Sequence, residues 1–169
     1  MAKQKGTWGA VLTGAAEQMD GPPVNPIRIA AAVITDSEGR VLLVRKRGTH
    51  CFMQPGGKLN LGESPKEALV RELREELGSR VVEAEFLGVF SAPAANEPFR
   101  IVEAALFRTR VAGVILPNGE IEEIAWVGAS RESDQPLAPL TRDQVLPLLG
   151  WGLREEQPGN GGPRWDRDQ

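Results

Sequence analysis

The segment from Ser64 to Gly78 constrains the fold of this chain more than any other stretch. Ser64 is a good N-cap, Pro65 stands at the first helical position, and Glu67 completes a capping box. Gly78 is placed to end the helix. At about 100° per residue, Leu69, Leu73 and Leu77 share one face, which must pack on other structure. Glu72, Glu75 and Glu76 share an arc that borders this face, with Glu76 nearest the core. Such a helix works against itself. Glu72 and Glu76 form a like-charge i,i+4 pair that costs on the order of a few tenths of a kcal/mol. Glu75 and Glu76 sit near the C-terminus, where the macrodipole disfavours anions. A partly buried carboxylate needs a partner, and a hard divalent cation that prefers oxygen ligands would supply one. The competing reading is a solvated helix whose acids are balanced by Lys66, Arg71 and Arg74.

Around this helix the pattern is mostly strand. Ile27 to Thr35 and Val41 to Val44 are apolar runs on either side of the turn signal Asp36-Ser37-Glu38-Gly39, and together read as strand, tight turn, strand. Arg45-Lys46-Arg47 closes the second run, and alternation puts Arg45 and Arg47 on one face and Lys46 on the other. Gly48 to Gly62 reads as loop with a short strand inside. Val81 to Phe90 and Phe99 to Val111 read as two strands joined by a proline-containing loop, Ile121 to Val127 as a last strand, and Thr141 to Leu149 as a short helix interrupted by Pro147. More strands than helices, with the long helix in the middle, predict an α/β fold: a mixed sheet with helices packed on it. Residues 1–26 read as an arm ending in a proline-rich connector, 27–150 as the folded domain, and 151–169 as a flexible tail.

Composition narrows the function classes. A formal net charge of -3 over 169 residues suits no general nucleic-acid coat. The single cysteine, Cys51, excludes an intrachain disulfide and a cysteine-based zinc site, and its adjacency to His50 is no nucleophile–base spacing. No apolar run approaches the roughly 20 residues that span a bilayer. The short segment Ala10 to Ala16 reads as a chain start rather than a signal peptide, so the expected compartment is the cytoplasm.

Upstream of the helix lies Gly56-Gly57-Lys58-Leu59-Asn60-Leu61-Gly62-Glu63, so the whole stretch reads Gly57, five residues, Glu63, seven residues, Arg71-Glu72-Leu73-Arg74-Glu75-Glu76-Leu77-Gly78. This resembles the signature box of the Nudix hydrolases. Every fixed position matches except the last, where the family has an aliphatic residue and this chain has Ser79. That position packs in the core, so the departure bears on packing rather than chemistry.

The resemblance implies an α/β/α sandwich and hydrolysis of a nucleoside diphosphate linked to another group, with Mg²⁺ or Mn²⁺ as cofactor. It implies Glu72, Glu75 and Glu76 as metal ligands, a backbone carbonyl of Gly56 or Gly57 beside them, and a Glu63–Arg71 ion pair that braces loop against helix. Glu72 and Glu75 double as catalytic candidates. Some family members place the general base in the loop before the last strand, where Glu120 is the best placed of Glu120, Glu122 and Glu123. Candidates for substrate contact are Arg45, Arg47 and Lys58 for phosphates and Phe52 for stacking on a base. Asn96 and Glu97 would border the pocket, and Trp126 would pack in the core. The implied partner is a small-molecule nucleotide, with no nucleic acid and no membrane, and family members are often homodimers.

The substrate is read from what the chain lacks. It has no tyrosine, hence no tyrosine of the kind that follows the box in dinucleoside polyphosphate hydrolases. It lacks the Ser-Gln-Pro-Trp-Pro-Phe motif of the NADH-cleaving members and any coenzyme A motif, and the residues just after Trp126, Val127-Gly128-Ala129-Ser130, include no acid of the kind that one type of oxidised-purine triphosphatase uses. The reading is MutT-like: a (d)NTP cleaved to monophosphate and pyrophosphate. ADP-ribose or another nucleotide sugar is the alternative, since Pro93 lies fifteen residues past Gly78, near where ADP-ribose hydrolases tend to carry a proline. Two other classes compete with these. A nucleotide-sensing module without turnover has little reason to keep three clustered acids, and an isoprenoid diphosphate isomerase would need a catalytic cysteine and a degenerate box.

Overall fold

The computed structural model describes residues 25–128 and 135–150. The expected tail over 151–169 and all but the last two residues of the expected arm lie outside them. The elements run β1 (Ile27–Val33), β2 (Val41–Lys46), β3 (Gly56–Lys58), α1 (Pro65–Leu77), β4 (Arg80–Pro93), β5 (Ile101–Ala112) and β6 (Ile121–Val127). A π-helical stretch, Thr141–Val145, then continues into a single turn, α2 (Leu146–Leu148).

Four strands form one sheet in the order β3-β1-β5-β4, and β2 pairs with β6 in a second. β1 is central in the larger sheet. It runs antiparallel to β3, with Ala31 opposite Gly56, and parallel to β5, with Ala30 opposite Ala105. The apolar runs expected to form β1 and β2 do so, but they do not form a hairpin ladder. Both edges of β1 are taken by β3 and β5, so only the Thr35–Val41 bridge and the Leu42 N–H to Ile34 carbonyl bond, 2.9 Å, join the two. The turn between them is made by Asp36, whose Oδ1 accepts from the N–H groups of Glu38 and Arg40.

Alternation along β1 and β2 divides the core into two layers. Ala30, Ala32, Leu42 and Val44 pack with Leu69, Leu73 and Leu77 of α1, all three of which are fully buried. Ala31, Val33, Val41 and Leu43 pack on the opposite side with Phe52, Leu140 and Val145. Helical structure therefore covers both faces, an α/β sandwich of the expected kind. Each fully buried leucine of α1 contributes roughly 1.5–3 kcal/mol of transfer free energy.

The helix ends match their sequence signals. The Ser64 side chain accepts from the Glu67 N–H, the Glu67 carboxylate accepts from the Ser64 N–H at 2.9 Å, and Gly78 closes the helix in the left-handed region. Ser79 is buried at 2% exposure, and its hydroxyl donates to the Leu77 carbonyl, which satisfies it where the family has an aliphatic side chain. Two expectations need correction. Phe99 does not begin β5: it has φ 62, incompatible with a strand, and is 91% exposed, so β5 starts two residues later. Pro147 does not break the closing helix. It falls in the first turn of α2, after the Leu146 N–H has bonded back to the Thr141 carbonyl. Among the described residues, no helix is long and apolar enough to cross a membrane.

Candidate active site

The site is built where β3 passes the C-terminal half of α1. The Gly56 N–H donates to Glu76 Oε2 at 2.9 Å. Gly57 lies so close to Glu72 that a Cβ there would stand 2.4 Å from the Glu72 carboxyl carbon, so a side chain at this position would displace the carboxylate. Glu72 and Glu76 are both buried, Glu76 to 2% exposure. Burial pushes the Glu76 carboxyl up to about 7, against the opposing pull of Lys46 and the Gly56 N–H.

Arg71 ties the box together. Its Nε and Nη2 donate to the two carboxylate oxygens of Glu63, each at 2.8 Å, its Nη2 also reaches the Lys58 carbonyl at 3.0 Å, and its Nη1 donates to Glu72 Oε1 at 2.6 Å. These bonds to Arg71, with a further one from the Asn60 N–H, hold the Glu63 carboxyl down to about 2. Loop, helix and the Glu72 carboxylate are thus fixed by one guanidinium with a planar fork of donors.

The cation that reaches Glu76 is Lys46. Its Nζ stands 3.4 Å from Glu76 Oε1 and is bonded to Glu120. Burial works against the Lys46 charge, but the bond to Glu120 and the fields of Glu76 and Glu120 outweigh it and raise the ammonium above its ordinary value. Arg45 and Arg47, expected to meet phosphates, are on the other face of β2 or beyond its end. Arg45 pairs with Glu122 and Glu123 at 2.8 and 2.9 Å, and the Arg47 side chain is exposed. Phe52, expected to stack on a base, is 4% exposed in the core layer opposite α1, with the Arg45 guanidinium 5.9 Å from its ring centroid. Even-numbered residues of β2 face α1 and odd-numbered ones face away, which puts Lys46 at the site and Arg45 outside it. Trp126, expected in the core, is 36% exposed on β6.

Beside these groups lies a cleft of about 430 Å³. One end carries Gly57, Glu72, Lys46 and Glu120, and the walls are largely apolar, with Ile27, Ile29, Met53 and Leu140 among them. Lys58 stands at the rim, paired with Glu97 at 2.7 Å, and Asn96 and Pro93 line the same cleft. Glu120 is held there by backbone bonds, its carbonyl accepting from the Arg47 N–H while the Asn118 N–H donates to the Glu76 carbonyl.

The residues present fit a hard divalent cation. The side-chain donors are carboxylates, and Glu76 Oε1 is buried with no hydrogen-bond partner beyond its long contact to Lys46. The missing Cβ of Gly57 lets the loop backbone pack directly against the Glu72 carboxylate. Glu75 stands apart: its side chain is 59% exposed and 3.5 Å from Arg71, and among the described residues no three acidic, histidine or cysteine side chains already converge on one point.

Residues 25–149 match the family model of the NUDIX domain. The chain belongs to the Nudix family. A MutT-like protein of Streptomyces ambofaciens is 28% identical over 120 residues, covering 70% of this chain and 74% of that one. An ADP-ribose pyrophosphatase of Methanocaldococcus jannaschii is 26% identical over 98 residues, 56% of this chain and 58% of that one. Among solved structures, the MutT NUDIX hydrolase from Burkholderia pseudomallei superposes with a TM-score of 0.64 at 24% identity, covering 76% of this chain and 99% of that one, a likeness of fold. The chain is a Nudix-type pyrophosphohydrolase.

Two residues of the Nudix cleft were missed by sequence reasoning. Lys46 was placed on the face opposite Arg45 and Arg47, but nothing in the sequence says which face of β2 meets α1. Gln54 lines the cleft at 4% exposure, and its Oε1 accepts from the buried Thr141 hydroxyl at 2.8 Å, a pairing across 87 positions that no local pattern announces.

Proposed function

We propose that the enzyme hydrolyses a (d)NTP to the monophosphate and pyrophosphate, with Mg²⁺ or Mn²⁺ held by Glu72, Glu75, Glu76 and a carbonyl at Gly57. The observation that carries this reading is one cleft lined by the buried Glu72, with Glu76 buried behind it against Lys46, and by largely apolar walls, the two chemistries of a nucleotide. The bound ion supplies charge neutralisation on the phosphate oxygens and a lowered pKa for water. Arg71 orients the Glu72 carboxylate, and Lys46 balances Glu76 and offers its ammonium to a phosphate oxygen. Glu120, on the far side of Lys46, accepts the proton of the attacking water as its oxygen bonds to phosphorus and the anhydride bond breaks. The apolar walls shed water from around the base and ribose. The lone free cysteine and the nucleotide substrate fit a reducing compartment, so the proposal sets the reaction in the cytoplasm.

ADP-ribose is the second reading, favoured by Pro93 in the cleft lining and by the M. jannaschii relative. A phosphate-release screen with Mg²⁺ or Mn²⁺ over nucleoside triphosphates, ADP-ribose, UDP-glucose, NADH and diadenosine polyphosphates separates them. Preferred turnover of a triphosphate with pyrophosphate released is the expected outcome. Preferred turnover of ADP-ribose overturns it in favour of the second reading, with the loop after Pro93 as the specificity element.

A further inference from the structure

We propose that Gln54 selects the nucleobase, and that it selects a base carrying a ring carbonyl over one carrying an amino group at the same place. The inference rests on reading the cleft as a nucleotide site.

Among the described residues, Gln54 is the one uncharged polar side chain of the cleft lining that is buried, since Asn96 is exposed at the rim. One end of its carboxamide is already committed. Oε1 accepts from Thr141 Oγ1 at 2.8 Å, and Thr141 is fully buried. The other end is not: Nε2 is buried with no hydrogen-bond partner among the described residues. An amide nitrogen carries two donors, and buried donors in folded proteins are almost always partnered. An unpartnered donor on a residue lining the substrate cleft is a position left for the substrate.

The fold goes to some length to hold this amide still. The Phe52 N–H donates to the Pro136 carbonyl at 2.8 Å, and the Ala138 N–H donates to the Phe52 carbonyl at 2.9 Å. These bonds dock the 136–138 segment in parallel beside Phe52, two residues before Gln54, so that Thr141 arrives opposite Gln54. Thr141 opens the π-helical stretch, a rare backbone form that concentrates at functional sites. Ala138 and Leu140 from the same segment line the cleft beside the amide. Phe52 therefore serves the base pocket indirectly, through its backbone.

A fixed N–H donor meets a carbonyl oxygen with a hydrogen bond and an amino group with a second donor, leaving both unpaired. Guanine and uracil present a carbonyl at C6 and C4, where adenine and cytosine present an amino group. The predicted order is carbonyl bases ahead of amino bases, in purines and pyrimidines alike.

The test is calorimetric binding of the non-hydrolysable α,β-imido analogues of dGTP, dATP, dUTP and dCTP in Mg²⁺, beside kcat/KM for the parent triphosphates. The wild type is expected to favour dGTP and dUTP by about tenfold, the scale of one net hydrogen bond. Gln54→Leu should level the four, and Gln54→Glu, which presents acceptors, should reverse the order. Thr141→Val, which leaves Gln54 in place but frees its amide, should weaken the preference, and it carries the test if the Gln54 variants do not fold. A wild type with no order or the opposite order, or Gln54→Leu or Thr141→Val with the preference intact, overturns the inference. Ordered analogue binding without triphosphate turnover removes the proposed reaction and leaves Gln54 as the base selector. Triphosphate turnover without base order removes Gln54 alone.

Discussion

At the scale of single residues, the site rests on two glycines and a carboxylate with little freedom. Glu76 is buried on the α1 face that also holds its three leucines, one of its oxygens satisfied by Gly56 and the other left over. That it would be near the core was legible from the helical phase; that it would be almost completely buried was not, because the depth depends on where β3 crosses α1. Gly57 was legible as part of the box, but its physical reason appears only in the structure, where the Glu72 carboxylate occupies the space of a Cβ. Gly57→Ala is expected to push Glu72 out of place and lower kcat by on the order of 100-fold, as misplacement by about 1 Å does in other enzymes. Because the obstacle is the end of a side chain that can swing into the cleft, the variant should keep a melting temperature within a few degrees of wild type. Steady-state kinetics beside a thermal melt checks both halves.

At the scale of elements, the helix was the most legible part. Cap, proline, box and glycine are local signals, and all act where the sequence put them. The strands were located well but their partners were not, since pairing is set by which edges remain open once β1 is flanked. The same gap explains Arg45, Arg47 and Phe52. Alternation separates Lys46 from Arg45, but the choice of face belongs to the packing of β2 on α1. The brace between loop and helix yields a pH prediction. The Glu63 carboxyl titrates near 2 in the folded protein against an ordinary 4.5, so its bond to Arg71 stabilises the fold fully above about 4.5 and is lost as pH falls towards 2. Glu63→Gln should therefore lower the melting temperature at pH 7 and lose less than wild type between pH 4.5 and 2.5. Equal acid sensitivity in the two proteins would show that the brace contributes nothing to stability.

At the scale of the whole molecule, two helical layers border a cleft where Glu72 of the Nudix box, Lys46 of β2, Glu120 and the segment that leads into the π-helical stretch meet. The acid end was legible because its residues are close in sequence. The Gln54 end was not, because Gln54 and Thr141 are joined only by the fold. The central claim is that the carboxylates of α1 hold the ion on which anhydride cleavage depends. Its most direct test is triphosphate hydrolysis by wild type and Glu76→Gln, with Mg²⁺ and with chelator, alongside melts of both proteins without metal. The account predicts pyrophosphate release only with Mg²⁺ or Mn²⁺ and a kcat at least about 100-fold lower in the variant, beyond what replacing a residue behind a metal ligand usually costs. It also predicts a metal-free melting temperature no lower than wild type, because a neutral isostere relieves a buried charge. Turnover in chelator, or near-wild-type activity in Glu76→Gln, would contradict it.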